Sequence, residues 1–470
     1  MEDTDIDDMS VTELTTAYAR HDLSPLEVLE HKQRLFDQAE PVLHAIAMRY
    51  DKRESTFASA KESERRYANG EQIGPLDGVP VLTKENMNVV GEITTWGTKA
   101  FRDNPPETLN SPIIDLLDKT GCITLGKSAM PEWGMLSSGL STDHATTCNA
   151  WNRDWNPGGS SSGAGAASAA GYAPVNYGSD IGGSVRLPAS WNGSIGFKPT
   201  FGRIPVDPPY FGRTIGILGR KIPDLAIAFS QSLAADWRDP YSLPVEKTDW
   251  NDLERECKGM KIALLLDAGA GQPVAPQVAE AVAQAAQIFE QAGAHISKLA
   301  PYVGDSVSKI DMFWRAGHFL AYKALPEYRR KMILPFIAKW CESGAGISSD
   351  AAVAGSDEQL TLAKKTLAAT KDYDLILSPV SPDATYPVDW AMPVNDVDHA
   401  MNHIAFCLPY NMSGQPSISV NCGFTSDGRP IGLQIAGQRY EDLTVLQAGT
   451  FYEHHKPSSA RVSQWPTIWK

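Results

Sequence analysis

Two glycine-rich turns that each carry a serine are the part of this sequence best suited to chemistry. Ser160 follows one pair of glycines, and Ser184 follows a second pair twenty-four residues further along the chain. Glycines permit unusual backbone angles and a close approach of backbone segments. They also let neighbouring amide N–H groups point at one spot, where the negative charge of an attacked carbonyl oxygen can be held. The pattern therefore indicates nucleophilic catalysis by a serine.

A lysine lies upstream of both turns, at the end of a short apolar stretch. A turn at residues 75–78 leads into the strand-like residues 79–82, and Lys84 follows them. A lysine in such a position loses hydration, which disfavours its ammonium form and lowers its pKa. This environment suits Lys84 to act as a base.

Taken together, these segments resemble the amidase signature family. Its pattern is a strand lysine, a GGSS turn and a G-S-D-x-G-G-S-[IV]-R turn, and residues 75–199 match it in order and spacing. Residues 411–437 are similar to the closing strands of the family. One departure lies in the first turn, where Ser162 and Ala164 replace a glycine and a small polar residue. The departure leaves Ser160 and the twenty-four-residue spacing intact.

The resemblance implies a role for each of these residues. Ser184 is the nucleophile, Ser160 relays protons through a turn with a cis Gly159–Ser160 peptide, and neutral Lys84 is the base. The oxyanion hole is formed by the backbone amides of Ile181, Gly182, Gly183 and Ser184. Attack by Ser184 gives an acyl-enzyme, Ser160 protonates the departing amine, and water releases the acid. The family requires no metal ion and no organic cofactor.

The activity implied by the resemblance is hydrolysis of an amide-type C–N bond in a small, aryl or alkyl amide. Three alternatives stay open: a carbamate (urethane) hydrolase of the same family, the glutaminase subunit of a tRNA-dependent amidotransferase, and a catalytically silent structural subunit. Residues 206–219 match the glutaminase subunit poorly, and all three catalytic positions are filled. A stand-alone hydrolase is therefore favoured.

Aromatic and apolar residues near the signature segments are candidates for a substrate pocket. The candidate substrate contacts are Trp133, Met135, Tyr210 and Phe211. Trp151 and Trp191 flank the same segments. Each of these aromatic residues could equally belong to the hydrophobic core.

Two further motifs match the patterns of known binding sites, but the residues around them do not support such sites. Residues 121–128 satisfy the phosphate-loop pattern G-x-x-x-x-G-K-S. A phosphate loop needs a strand before its first glycine, whereas Gly121 here ends a predicted helix and residues 122–125 are predicted to form the strand. His399 and His403 have helical i,i+4 spacing but no evident third ligand. We expect neither a nucleotide site nor a metal site.

The composition limits the choice of partners and of compartment. The 470 residues are 42% hydrophobic and carry a net charge of −14, which disfavours nucleic acid and anionic membranes as partners. No apolar run approaches the roughly 18 residues of a membrane span. Six scattered cysteines and the absence of an N-terminal signal indicate the cytoplasm. The expected partner is a small-molecule amide or carbamate, and a homodimer stays open.

The surrounding elements alternate between strands and helices, which predicts an α/β fold with a central twisted mixed sheet covered by helices on both faces. We expect one domain over residues 1–470. It comprises N-terminal helices (1–70), the signature core (71–222), a helical cap-like insertion (223–372) and a C-terminal part that completes the sheet (373–470).

Local signals at the N-terminus predict two helices. Capping boxes at residues 10–13 and 24–27 each place a glutamate three positions after a serine. Residues 1–9 are acidic, and we expect them to be frayed. The helix that begins at Pro112 is predicted to end at Gly121.

Overall fold

The computed structural model describes residues 3–469, and within them eleven strands form one mixed sheet. The strands are β1 (Ile46–Arg49), β2 (Pro80–Lys84), β3 (Ile123–Ser128), β4 (Val175–Asp180), β5 (Ile195–Lys198), β6 (Thr214–Gly219), β7 (Lys261–Leu264), β8 (His295–Lys298), β9 (Leu375–Pro379), β10 (Ser417–Phe424) and β11 (Pro430–Gly437). Their order across the sheet is β1-β3-β2-β4-β6-β5-β10-β11-β9-β7-β8. The strands β3, β2 and β4 are mutually parallel, whereas the pairs from β4 to β9 through the middle of the sheet are antiparallel.

Fifteen α-helices within the same residues surround this sheet. They are α1 (Asp3–Asp8), α2 (Val11–Arg20), α3 (Pro25–Leu43), α4 (Glu54–Asn69), α5 (Pro112–Leu117), α6 (Ser162–Ala170), α7 (Arg186–Asn192), α8 (Ile222–Ser230), α9 (Pro276–Gln291), α10 (Ser306–Ala324), α11 (Glu327–Arg330), α12 (Pro335–Ser343), α13 (Ser349–Thr370), α14 (Leu408–Met412) and α15 (Asp442–His455). Each of them is too short or too polar to span a lipid bilayer.

The sheet has a hydrophobic cluster on each face. In β9, Leu375 and Leu377 belong to one cluster, whereas Ile376 between them belongs to another. Successive side chains of a strand point to opposite faces of a sheet. The first cluster includes side chains of α8, α9 and α15. The helices α6 and α7 pack against each other, and they contact β4 and β11 respectively. The predicted α/β fold with a mixed, helix-covered sheet is confirmed.

The N-terminal signals are confirmed, with one correction. Ser10 and Ser24 each cap a helix in a complete capping box. The prediction that residues 1–9 are frayed is wrong for residues 3–8, because they form α1. Ile6 is buried in a small hydrophobic cluster, and the Asp7 carboxylate accepts a 2.7 Å hydrogen bond from Lys32 Nζ. Residues 1 and 2 lie outside the described residues.

The phosphate-loop pattern lies in a strand. β3 runs through Gly126 to Ser128, so the G-K-S segment continues a buried strand instead of opening a helix. Lys127 is buried, and its Nζ lies 3.0 Å from the Glu92 carboxylate. The preceding helix ends at Leu117, earlier than the predicted Gly121, and a turn connects it to β3. This geometry provides no phosphate cradle.

Residues 223–372 contribute to two different layers. β7 and β8 extend the edge of the sheet, and α9 packs on it. The helices that pack mainly on one another are α10, α12 and α13. Within the predicted insertion, residues 306–370 thus form a separate helical layer.

Candidate active site

The catalytic candidates meet at the ends of two parallel strands. Lys84 is the last residue of β2, and Asp180 is the last residue of the neighbouring β4. Ser160 and Ser184 lie just before α6 and α7, which pack against each other. Sites in α/β proteins commonly form beyond the carboxyl ends of parallel strands. The fold thus brings together three residues that are up to one hundred positions apart in the sequence.

Lys84 is completely buried and hydrogen-bonded to two serines. Its Nζ lies 2.9 Å from Ser160 Oγ and 3.1 Å from Ser179 Oγ. Asn86 Nδ2 donates to the same Ser179 hydroxyl at 3.3 Å. Burial, with a smaller contribution from the positive charge of Arg213, holds the pKa of Lys84 well below its ordinary value. The neutral amine that a base requires is thereby stabilised.

The turn that presents Ser160 has no room for side chains at its glycines. The Gly159–Ser160 peptide is cis, as the resemblance implies, and Gly158 has a φ of 81°. A Cβ atom at Gly158 would lie 2.7 Å from the Trp191 ring, and one at Gly159 would lie 2.7 Å from the carbonyl oxygen of Leu136. Both positions therefore require glycine, which explains the sequence pattern physically.

A buried carboxylate fixes the turn that carries Ser184. Asp180 accepts hydrogen bonds from the backbone N–H groups of Gly183 at 2.8 Å and Val185 at 3.0 Å. Arg186 Nη2 donates to it at 2.8 Å, and Asn411 Nδ2 donates at 2.9 Å. Burial opposes ionisation, but the Arg186 guanidinium and these donors hold the pKa of Asp180 well below its usual range. The carboxylate is thus ionised and orients the turn.

The amides that the resemblance implies for the oxyanion hole differ in their hydrogen bonding. The Gly183 amide, one of the four that the resemblance implies, is engaged by Asp180. Within the described chain, the amides of Ile181, Gly182 and Ser184 have no protein acceptor. Ser184 is partly exposed to the cavity, and its carbonyl oxygen accepts from the Ser161 amide at 3.1 Å, which ties the two turns together. Three free amides remain beside the serine.

A cavity of about 250 Å³ opens onto these groups. Its polar lining comprises Asn86, Ser137, Ser160, Ser179, Asp180, Ser184 and Arg213, and its remaining lining comprises Trp96, Trp133, Gly134, Met135, Leu136, Ile181, Gly182, Tyr210, Trp314, His318, Met401 and Ile404. Most of the wall is apolar or aromatic. The arrangement suits a substrate with an apolar body whose reacting group lies beside the two serines.

Two tryptophans on facing loops shape one side of the cavity. Trp96 and Trp133 have φ values of 53° and 58°, in the left-handed region that bulky residues rarely adopt. The Trp133 amide donates to the Trp96 carbonyl oxygen at 2.7 Å. The Trp133 ring centroid lies 6.0 Å from that of His318, which α10 supplies together with Trp314. The insertion therefore contributes directly to the cavity wall.

The predicted substrate contacts separate into two groups. Trp133, Met135 and Tyr210 line the cavity, whereas Phe211 does not. The Phe211 ring packs 5.8 Å from Phe201 and 6.4 Å from Tyr241, measured between centroids. Of the other flanking residues, Trp191 is fully buried in the core, and the Trp151 ring packs against that of Phe424.

Four other residues of the cavity were not predicted from the sequence. Asn86 and Ser179 lie inside the segments that carry the resemblance, so their positions were available although their contacts were not. Trp314 and His318 are one helical turn apart on α10, with nothing in their local sequence to connect them with Ser184. Only the tertiary fold brings these two residues to the cavity.

The histidine pair does not form a joint site. His399 is exposed and bonds to Asp396 at 2.8 Å, whereas His403 is buried and bonds to Ser137 Oγ at 2.7 Å. They lie on separate 3₁₀ turns, and burial lowers the pKa of His403 to about 3. The two imidazoles therefore have different environments and different partners.

Comparison with known proteins identifies the family. The amidase family profile matches residues 27–446. This chain belongs to the amidase signature family. An acylamidase from Rhodococcus erythropolis is 32% identical over 468 residues, covering 96% of each chain. The solved structure of a bacterial aryl acylamidase of the amidase signature family has a TM-score of 0.84 at 29% identity and covers 96% of this chain and 97% of its own.

Other relatives widen the range of activities within this fold. One component of the glutamyl-tRNA(Gln) amidotransferase of Geobacillus thermodenitrificans is 29% identical, covering 95% of this chain and 97% of its own. A 6-aminohexanoate cyclic dimer hydrolase has a TM-score of 0.85 at 24% identity and covers 98% of this chain and 99% of its own, a likeness of fold alone. As a member of the family, the chain is an enzyme that hydrolyses amide C–N bonds.

Proposed function

We propose that this amidase cleaves aryl or alkyl amides through an acyl-enzyme, with Ser184 as the nucleophile, Ser160 as the proton relay and Lys84 as the base. The observation that carries the proposal is the 2.9 Å contact between Lys84 Nζ and Ser160 Oγ. A fully buried lysine with a lowered pKa has no need of a carboxylate partner when its task is to accept a proton.

The steps balance with these three side chains alone. Ser184 Oγ attacks the amide carbon while its proton passes to Ser160, whose own proton passes to neutral Lys84. The amides of Ile181, Gly182 and Ser184 stabilise the resulting oxyanion. The C–N bond then breaks as the departing amine takes a proton back through Ser160. Water attacks the acyl-enzyme by the same relay and releases the carboxylic acid.

The cavity favours an apolar, aryl-sized substituent on the amide. Its wall is formed largely by aromatic and aliphatic side chains, and its volume is about 250 Å³. The similarity to an acylamidase and to an aryl acylamidase supports the same substrate class. A carbamate presents a similar acyl carbon, so urethane hydrolysis stays within the proposal as a side activity to be measured.

The decisive experiment combines turnover with covalent labelling. Replacing Ser184 with alanine removes the nucleophile, and we expect turnover of 4-nitroacetanilide to fall by at least about 10⁴-fold. Labelling by a fluorophosphonate probe should disappear in the same variant, as read by intact mass. Ser162→Ala is the matched control, because Ser162 is a buried serine of the other turn whose hydroxyl donates, among the residues that the structure describes, only to the Ala129 carbonyl oxygen. A label on another serine, with Ser184→Ala still active, would contradict the proposal.

A substrate panel separates the alternative activities. The purified single chain should hydrolyse anilides faster than the matching phenyl carbamates, and it should do so without a partner protein. Release of ammonia from glutamine in preference to every anilide would favour the amidotransferase alternative. Failure to turn over any amide, carbamate or glutamine would favour a silent structural role.

A further inference from the structure

Arg213 lies in the cavity beside the turn that carries Ser184. It precedes β6, whose first residue, Thr214, pairs with Asp180 at the end of β4. This antiparallel register places Arg213 beside Ile181, at the start of the turn that carries Ser184. Arg213 is half-buried and lines the same cavity as Ser160 and Ser184.

Few protein groups satisfy the Arg213 guanidinium. Its Nη1 donates to the Pro208 carbonyl oxygen at 3.2 Å, and its Cζ lies 5.3 Å from the centroid of the Trp96 ring. Within residues 3–469 it makes no ion pair or hydrogen bond with a carboxylate, although the charge of Asp207 on the same loop attracts it. A guanidinium has five N–H donors. Most of these donors are therefore available to a ligand. The contacts with Trp96 and Pro208 fix the orientation of the guanidinium plane.

The other ionisable groups of the cavity carry no uncompensated charge. The Asp180 carboxylate is paired with Arg186. Burial lowers the pKa of His318 and raises that of Tyr210, so both are neutral near pH 7. Burial also lowers the pKa of Arg213, but only to about 10, so its guanidinium stays cationic at neutral pH. The cavity thus presents one unpaired positive charge to its ligand.

We infer that Arg213 is a specificity-determining residue that binds a carboxylate of the substrate, so that the preferred substrates are amides bearing a second, anionic group. This inference rests on the proposed function, because it places the anionic group in the cavity that contains Ser184. A planar guanidinium matches a carboxylate with two parallel hydrogen bonds. The apolar wall then holds the remainder of the molecule.

Matched substrate pairs test the inference on each side of the scissile bond. N-phenylsuccinamate against N-phenylbutanamide places the carboxylate on the acyl side. 4-Acetamidobenzoate against 4-methylacetanilide places it on the amine side. We expect the wild-type enzyme to favour the acid of at least one pair by about tenfold or more in kcat/KM. In Arg213→Met that ratio should fall to about one or below, and Arg213→Lys should retain part of it.

Two controls separate recognition from general damage. Arg153→Met removes a positive charge from an exposed arginine outside this cavity and should leave the ratio unchanged. Because the Arg213 charge also contributes to the low pKa of Lys84, Arg213→Met should move the pH–rate profile to higher pH for acid and neutral substrates alike. The ratio at any one pH is free of that shared effect.

Binding provides a measurement that is independent of turnover. Calorimetric titration of Ser184→Ala with the acid and its neutral partner should show a tighter Kd for the acid, and the difference should vanish in Ser184→Ala/Arg213→Met. Equal affinities in both proteins, or a preference for the acid that survives Arg213→Met, would overturn the inference. Hydrolysis of neutral anilides without any such preference would overturn it and leave the proposed function standing. Loss of all hydrolysis would count against the proposed function, and the titration would still decide the role of Arg213.

Discussion

The cavity has two regions that are built differently. We call Lys84, Ser160, Ser179 and Ser184 the polar centre. The aromatic wall comprises Trp96, Trp133, Tyr210, Trp314 and His318. Strand ends and glycine turns hold the polar centre, and Lys84 there is hydrogen-bonded to two serines. The wall instead collects rings from three loops and from α10. Under the proposed mechanism, chemistry resides at the strand ends and glycine turns, and substrate selection resides on segments attached around them.

If this division is correct, damage to the polar centre lowers kcat for every substrate, whereas damage to the wall changes KM for some substrates only. Mutations in the two regions should therefore differ in kinetic character as well as in size.

After loss of the nucleophile Ser184, the largest of these effects should come from the base. Lys84→Ala is expected to lower kcat by about 10²–10⁴-fold, the usual contribution of a positioned proton acceptor. Lys84→Arg should be equally inactive, because a guanidinium does not deprotonate in this range. The measurements are kcat and kcat/KM for two unrelated amides, with circular dichroism to confirm folding.

The dependence of kcat/KM on pH tests the same role of Lys84, because the direction of the change is predicted. Lys84 accepts a proton only when neutral, so wild-type kcat/KM should rise with pH as Lys84 loses its proton. Burial lowers the pKa of Lys84, so this rise should lie below the pKa of free lysine, which is near 10.4. A folded Lys84 variant with the wild-type rate and profile would remove Lys84 from the polar centre.

A smaller effect is expected at the edge of the polar centre. Ser179→Ala removes the hydroxyl that lies 3.1 Å from Lys84 Nζ, and with it one of the two contacts that orient the amine. We expect kcat to fall by about tenfold, less than in Lys84→Ala, with KM little changed. An increase in KM at constant kcat would instead move Ser179 to the substrate-selecting region.

The smallest and most selective effect should come from the wall. Trp133→Ala is expected to raise KM for an anilide by about tenfold, which corresponds to about 1.4 kcal/mol of lost contact, while propionamide changes by less than about threefold. Phe211→Ala is the matched control, because its ring packs on Phe201 and Tyr241 outside the cavity. Equal losses for both amides in Trp133→Ala would erase the distinction between the two regions.

The proposed catalytic residues Lys84, Ser160 and Ser184 could be singled out in the sequence because short patterns mark them. The glycine pair at positions 158 and 159 is visible in the sequence, although the contacts that require it, with Trp191 and the Leu136 carbonyl oxygen, are distant in sequence; a strand lysine leaves a recognisable apolar stretch before it. The same holds for the capping boxes at Ser10 and Ser24, where a side chain bonds to an amide three residues away.

The parts that were wrong or missed depend on distant contacts. α1 forms in an acidic segment because Ile6 is buried by other helices and Asp7 is paired with Lys32. The Asp180 carboxylate engages the Gly183 amide within a network completed by Asn411, which is more than two hundred residues away. Phe211 and Tyr210 are adjacent, yet only Tyr210 lines the cavity, and no pattern in the sequence separates them.

The contribution of α10 to the wall has a consequence for the history of this enzyme. Trp314 and His318 belong to a segment, residues 306–370, that contains neither Lys84 nor either proposed catalytic serine. Mutation or recombination within that segment can therefore alter which molecules are accepted and leave the bond-breaking machinery untouched. Exchange of this one helical unit between related chains is a route to a new substrate range, and the exchange can be made in the laboratory.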